Sequence, residues 1–117
     1  MRRPSTVEHR STLVREALAV MEAAHPEPLG VSDVARRIAT SRRQLQRAFH
    51  EIRGTTFRDE LRGIRMRRAR ELLLEQPGLT IEAVAHTVGY SQAAQFAKSF
   101  REDFGVSPSA LRRESAG

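Results

Sequence analysis

The 117 residues contain no cysteine, which removes thiolate chemistry, zinc ribbons and a disulfide-stapled secreted scaffold from consideration. A reducing compartment is the simplest setting for such a chain. No run approaches 18 apolar residues, and the arginines near the start, Arg2 and Arg3, are followed by no apolar h-region. Neither a membrane span nor a signal peptide is therefore expected, and the protein reads as soluble. Lysine is almost missing as well: 19 of the 20 basic residues are Arg, with Lys98 alone. A G+C-rich genome produces that preference without any function, but it does not decide where the charge sits. Alternating β-branched stretches are absent too, which argues against strands. What remains is one domain's worth of chain, able to bury about 65% of its unfolded surface and hold a core without disulfides or a structural metal.

The net charge is +6, and it is local. Residues 1–30 hold four Arg and four Glu; residues 31–70 hold twelve Arg and four acids; residues 71–117 hold four bases and six acids. Basic charge concentrated in one stretch is a footprint for a polyanion, nucleic acid before an anionic membrane surface.

Apolar residues recur at three and four throughout, with Gly and Pro confined to a few breaks, so an all-α fold of about seven helices is expected. The first runs roughly from Thr6 to Ala24, with Val14, Leu18 and Met21 on one face, and stops at His25-Pro26-Glu27-Pro28. Short helices follow over Val31 to Ile38 and Arg42 to about Ile52, then a long one from about Phe57 to Gln76 that ends at Pro77-Gly78. A second pair covers Ile81 to Val88 and Gln92 to Phe104, and Pro108 opens a last helix through Arg113. The domain proper is placed at 12–113, with residues 1–11 a flexible tail and 114–117 a second tail.

An internal repeat organises these elements. Val31, Val34, Ala35, Ile38 and Ser41 recur fifty residues on as Ile81, Val84, Ala85, Val88 and Ser91; after a one-residue insertion, Leu45, Phe49 and Gly54 recur as Phe96, Phe100 and Gly105. Two copies are too few for a solenoid. They suit two helix-turn-helix units, about 31–54 and 81–105, joined by a linker helix at about 57–76. Ser41 with Gln44 predicts a capping box. Ser91 is expected to cap the matching helix, Thr80 the helix before it, and Gly30 takes the place equivalent to Thr80. Gly89 suits a left-handed turn; Ala39, at the same position of the first unit, would cost about 1 kcal/mol there.

Projected at 100° per residue, the Arg42–Ile52 helix turns Leu45, Phe49 and Ile52 to one side and Arg43, Gln46, Arg47 and His50 to the other. Arg reads guanine O6/N7 and Gln reads adenine N6/N7 in the major groove. Arg43, Gln46 and Arg47 are thus candidates for bases, Arg42 and His50 for phosphates. The Gln92–Phe104 helix sends Phe96, Phe100 and Phe104 inward and Ala94, Ala97, Lys98 and Arg101 outward, with Gln95 at the edge. That face is poor in hydrogen-bonding groups, so the second unit is expected to read loosely or by shape, through thymine methyls at Ala94 and Ala97 and through Lys98; the alternative is that it packs on a partner. On the long helix, Phe57, Leu61, Ile64, Met66, Ala69, Leu72 and Leu73 span about 200°, wider than a one-sided stripe. Arg65 and Arg68 fall inside that sector and read as structural, paired with carboxylates or snorkelling; Arg67 and Arg70 point outward.

No GxGxxG, P-loop or HExxH occurs, and His9, His25, His50 and His86 share no metal-ligand spacing. No enzyme, metal or cofactor is expected, and His25 and His86 read as ordinary surface or helix-end residues.

The run Val31-Ser32-Asp33-Val34-Ala35-Arg36-Arg37-Ile38 through Ser41, Leu45, Phe49 and Gly54 resembles the DNA-binding domain of AraC/XylS-type transcription regulators. So do the stretch Arg65-Met66-Arg67-Arg68-Ala69-Arg70-Glu71-Leu72-Leu73 and above all Ile81-Glu82-Ala83-Val84-Ala85, Val88-Gly89-Tyr90-Ser91, Phe96, Phe100 and Phe104-Gly105-Val106-Ser107-Pro108. The resemblance covers roughly Thr12 to Arg113. It implies a sequence-specific regulator, cytoplasmic and associated with the bacterial nucleoid, that inserts two recognition helices into adjacent major grooves of double-stranded DNA. By position it assigns base reading to Arg43, Gln46 and Arg47 in the first unit and to Gln95 and Lys98 in the second. Two departures stand out: Ala39 replaces the usual turn glycine, and Ile52-Arg53 before Gly54 inverts the commoner order, which predicts a reset end to the first recognition helix. RNA polymerase is a candidate further partner and a monomer the expected state. The competing readings are an interaction adaptor working through the second unit and a nonspecific architectural binder. The charge division predicts unequal labour, with phosphate anchoring and hydrogen-bonded readout in the first unit, register and shape in the second.

Overall fold

Seven helices make up the described residues, 6–116, of the computed structural model: α1 (Thr6–Ala24), α2 (Val31–Arg37), α3 (Arg42–Arg53), α4 (Phe57–Glu75), α5 (Ile81–Thr87), α6 (Ala93–Phe104) and α7 (Pro108–Ala116). No strand occurs among them, and no helix is long and apolar enough to cross a membrane. They divide into two units: Pro28–Leu61 with α1, and His25–Glu27 with everything from Arg62 on. The boundary falls inside α4. That accounts for the width of its apolar sector, because Phe57 and Leu61 are buried in the first unit, while Ile64, Met66, Ala69, Leu72 and Leu73 are buried in the second.

In the first unit the 3.6-residue period of α1 buries Leu13, Val14, Ala17, Met21 and Ala24. Leu45, Ala48 and Phe49 of α3 and Val34 and Ala35 of α2 complete the buried set, and Phe49 meets Phe57 edge-on at 6.3 Å. In the second, Met66, Ala69, Leu72, Leu73, Val84, Ala85, Val88, Phe96 and Phe100 form one apolar cluster, with Leu79, Ile81, Tyr90 and Leu111 packed against it. Phe104, expected inside, is 37% exposed. It is the last residue of α6 and lies past the cluster, its ring 4.6 Å from Phe100 and beneath the Arg70 guanidinium.

Helix α1 begins at Thr6, so residues 6–11 are helical rather than tail, and Arg10 is fastened to Glu51 of α3. Likewise α7 continues through residues 114–116; residues 1–5 and 117 lie outside the described residues. Arg65 is structural, as expected, but its partners are carbonyls instead of carboxylates: it donates to His25 O at 2.9 Å and Glu27 O at 2.8 Å. Burial pulls this guanidinium below the usual arginine range. Arg68 pairs with Glu71 at 3.0 Å on the surface.

Candidate nucleic-acid interface

The two turns that orient α3 and α6 are the same turn twice. Thr40 N–H donates to Ala35 O at 2.9 Å and Tyr90 N–H to Ala85 O at 2.9 Å; one position earlier, Ala39 donates to Arg36 O and Gly89 to His86 O. Both turns need a left-handed residue, supplied by Gly89 at φ 96° and by Ala39 at φ 57°. After the turns the inserted residue takes effect. Ser41 caps α3, its Oγ accepting from Gln44 N–H at 3.1 Å, with no return bond from the Gln44 side chain that would complete a capping box. In the second unit the cap position has moved on to Gln92, which makes no side-chain cap bond, so Ser91 is not the cap. Thr80 caps α5 through Ala83 N–H at 3.0 Å. Before α2, Gly30 is served from inside the helix: its N–H donates to Asp33 Oδ2 at 2.8 Å. That bond, ahead of the Arg36 and Arg37 charges, holds the Asp33 carboxyl below the usual carboxylate range.

From the caps on, the units run in step at a spacing of 51, and both second helices are 12 residues long. Each ends on a left-handed glycine, Gly54 at φ 63° and Gly105 at φ 76°. The inverted Ile52-Arg53 order therefore resets nothing, since Gly54 fixes the stop. The register continues into the next helices: Thr56 Oγ1 accepts from Asp59 N–H and Ser107 Oγ from Ala110 N–H, each at 3.1 Å. Neither cap was legible as part of the repeat, although a hydroxyl just ahead of Pro108 is a recognisable helix start.

On α3, Leu45, Ala48 and Phe49 are buried, and Arg42, Arg43, Gln46, Arg47 and His50 are exposed together on the far side. No carboxylate pairs with Arg42 or Arg43 among the described residues. Arg47 Nε lies 3.4 Å from Glu51 Oε1. Beside this face Gln46 and His50 line a cavity of about 260 Å³ with Val31, Thr55, Thr56, Phe57 and Arg58. Arg58, which the sequence reading passed over, adds a cation next to His50.

On α6, Ala94, Gln95, Lys98 and Arg101 are exposed and Ala97 is half-buried. The 51-residue spacing sets Ala94, Ala97 and Lys98 opposite Arg43, Gln46 and Arg47, and Arg101 opposite His50. Gln95 corresponds to Gln44, not to any of the three. Ala97, Lys98 and Arg101 border a cavity of about 380 Å³ with Glu102 and Ser107. Chemically, α3 offers planar forks and an amide, and α6 methyl groups, one amide, one ammonium and one guanidinium.

Comparison with known proteins agrees with this geometry. A family model described as a helix-turn-helix domain matches residues 34–114. The chain is 41% identical over 116 residues to the HTH-type transcriptional regulator GlxA of Rhizobium meliloti, covering 97% of this chain and 36% of that protein. Among solved structures it resembles a transcriptional regulator with an AraC-type DNA-binding domain from Chromobacterium violaceum, at 32% identity and TM-score 0.84, over 92% of this chain and 96% of that one. It also resembles the DNA-binding domain of AdpA in complex with a target DNA, at 27% identity and TM-score 0.73, over 90% of each chain. The chain spans about a third of the length of the curated relatives it matches.

Proposed function

The chain belongs to the AraC/XylS-type helix-turn-helix family of sequence-specific DNA-binding transcription regulators, which are not enzymes, and from that premise we propose how it reads DNA. Helix α3 enters a major groove with Arg43, Gln46 and Arg47 toward base edges, while Arg42 and His50, joined by Arg58, grip phosphates. Helix α6 enters the next major groove, about one helical turn or roughly 34 Å along the duplex, with Lys98 and Gln95 toward bases and Ala94, Ala97 and Arg101 toward methyls, shape and backbone. The site read this way is asymmetric, because the two faces differ in chemistry, and one copy of the chain suffices to occupy it. Such a protein works in the cytoplasm on the nucleoid, with RNA polymerase as the partner a regulator must reach.

The observation that carries this reading is the α3 face, where five polar and cationic side chains stand exposed opposite a fully apolar buried side. Replacing Arg43 or Arg47 by Ala is expected to cost about 1–3 kcal/mol and to relax one base position each. Selection from a random duplex library with the parent and both variants measures this directly. Unchanged affinity and unchanged sequence preference in both variants would show that the readout face lies elsewhere.

A further inference from the structure

Of the five side chains that α3 turns away from the core, Arg42, Arg43, Gln46, Arg47 and His50, Arg47 is the one that forms an ion pair among the described residues. Its partner, Glu51, lies one turn on and is also exposed, and an exposed pair of this kind contributes little to stability. The second oxygen of the same carboxylate, Oε2, is taken by Arg10 Nη1 from α1, a side chain only 18% exposed. Glu51 is therefore a bridge between an anchored cation and an exposed one.

Two features of the bridge bear on recognition. A carboxylate in the last turn of a recognition helix adds a charge that repels phosphate, and Arg10 offsets that charge from the protein side. Contact through Nε leaves the Nη1–Nη2 edge of Arg47 open, which is an edge able to form a bidentate pair with guanine O6 and N7. A carboxylate beside Nε narrows the directions in which the guanidinium swings before it meets a base. At the same register in the second unit, Lys98 and Glu102 form no ion pair among the described residues, and an ammonium has no fork to orient.

We infer that Arg10 and Glu51 are positioning residues that set the Arg47 guanidinium for one base pair, so preference at that position depends on two side chains that touch no base. The inference rests on Arg47 reading a base. Selection from a random duplex library is run on the parent chain, Arg47→Ala, Glu51→Gln, Arg10→Gln, Arg10→Lys and the Glu51→Gln/Arg47→Ala double variant. Arg47→Ala should flatten one position. Glu51→Gln and Arg10→Gln should each weaken preference at that same position by roughly threefold to tenfold, the scale of one coupled pair, while the other positions keep theirs and so report an intact fold. Arg10→Lys should restore part of the preference, and the double variant should lose no more than Arg47→Ala. If Glu51→Gln leaves that position as sharp as in the parent chain, or raises affinity evenly over all sequences as removal of a repelling charge would, the positioning role is overturned. If Arg47→Ala flattens no position, the base-reading assignment fails first and takes the clamp with it.

Discussion

Ala39 and Gly89 occupy one position of one repeated turn, and the two sites tolerate a methyl group very differently. At Ala39 the left-handed backbone is strained by its Cβ, and the residue is exposed. Ala39→Gly should relieve about 1–2 kcal/mol of that strain and give back part of it through the freer unfolded chain. A net gain of about 0.5–1 kcal/mol in denaturant unfolding is expected. At Gly89 a Cβ would stand 2.8 Å from His25 O and 3.2 Å from the Arg65 guanidinium nitrogens. Those are the two ends of the hydrogen bond that ties residues 25–27 to α4. Gly89→Ala therefore adds displacement of a charged hydrogen bond to the φ strain, and a loss of about 3 kcal/mol or more is expected. Equal and small effects at both sites would show that the close approach at Gly89 is relieved without breaking that bond.

At the scale of whole elements, the helix ends separate what pattern reveals from what only the folded chain supplies. Helix faces follow from local period, and so Arg43, Gln46, Arg47 and the buried Leu45 and Phe49 were legible in the sequence, as was the repeat itself. Caps are less so, because a single inserted residue moved one from Ser91 to Gln92, and spacing alone does not say on which side of the insertion the helix starts. The end of α4 was legible from Pro77-Gly78, but what caps it was not. Its last turn has no basic residue, and its carbonyls are served from α7, nearly forty residues away. Arg112 donates from Nη1 to Leu79 O, from Nη2 to Gln76 O at 3.2 Å, and from Nε and Nη2 to Leu73 O at 3.4 Å. A positive charge there also suits the helix dipole. Arg112→Met should cost about 2 kcal/mol and lower the melting temperature by on the order of 10 °C. Arg112→Lys should fall between, since a single ammonium nitrogen lacks the planar spread of three nitrogens by which Arg112 reaches these carbonyls. The exposed neighbour provides the control: Arg113→Met should melt as the parent chain does, and a loss equal to that of Arg112→Met would mean that charge rather than capping is at work.

For the molecule as a whole, the division of charge looks different once the units are known. Counted along the chain, residues 31–70 carry more than the whole excess; counted by unit, the first holds eleven Arg against seven acids and the second nine bases against seven acids. The difference is the arginines of α4 from Arg62 on, and these are largely engaged within the second unit: Arg62 with Asp103, Arg65 with two carbonyls, Arg68 with Glu71, Arg70 over Phe104. A cation already paired in the protein displaces few counterions from DNA, because its own carboxylate partner offsets it. The salt dependence of binding should therefore follow Arg58 and the exposed cations of α3 and α6 and not the formal net charge. Affinity for a selected duplex, measured from about 50 to 200 mM salt, should fall steeply. Arg42→Ala should lower the slope of log affinity against log salt by about 1 and weaken binding evenly over all sequences, as loss of one phosphate contact requires. Arg68→Ala should leave the slope unchanged, though it removes the same formal charge. Charge reversal at Lys98 and Arg101 should weaken binding too; if it does not, the second unit serves a protein partner and the first carries the DNA alone. Should Arg68→Ala flatten the slope as much as Arg42→Ala, the Glu71 pair opens on DNA and the second half of the long helix joins Arg58 in the interface.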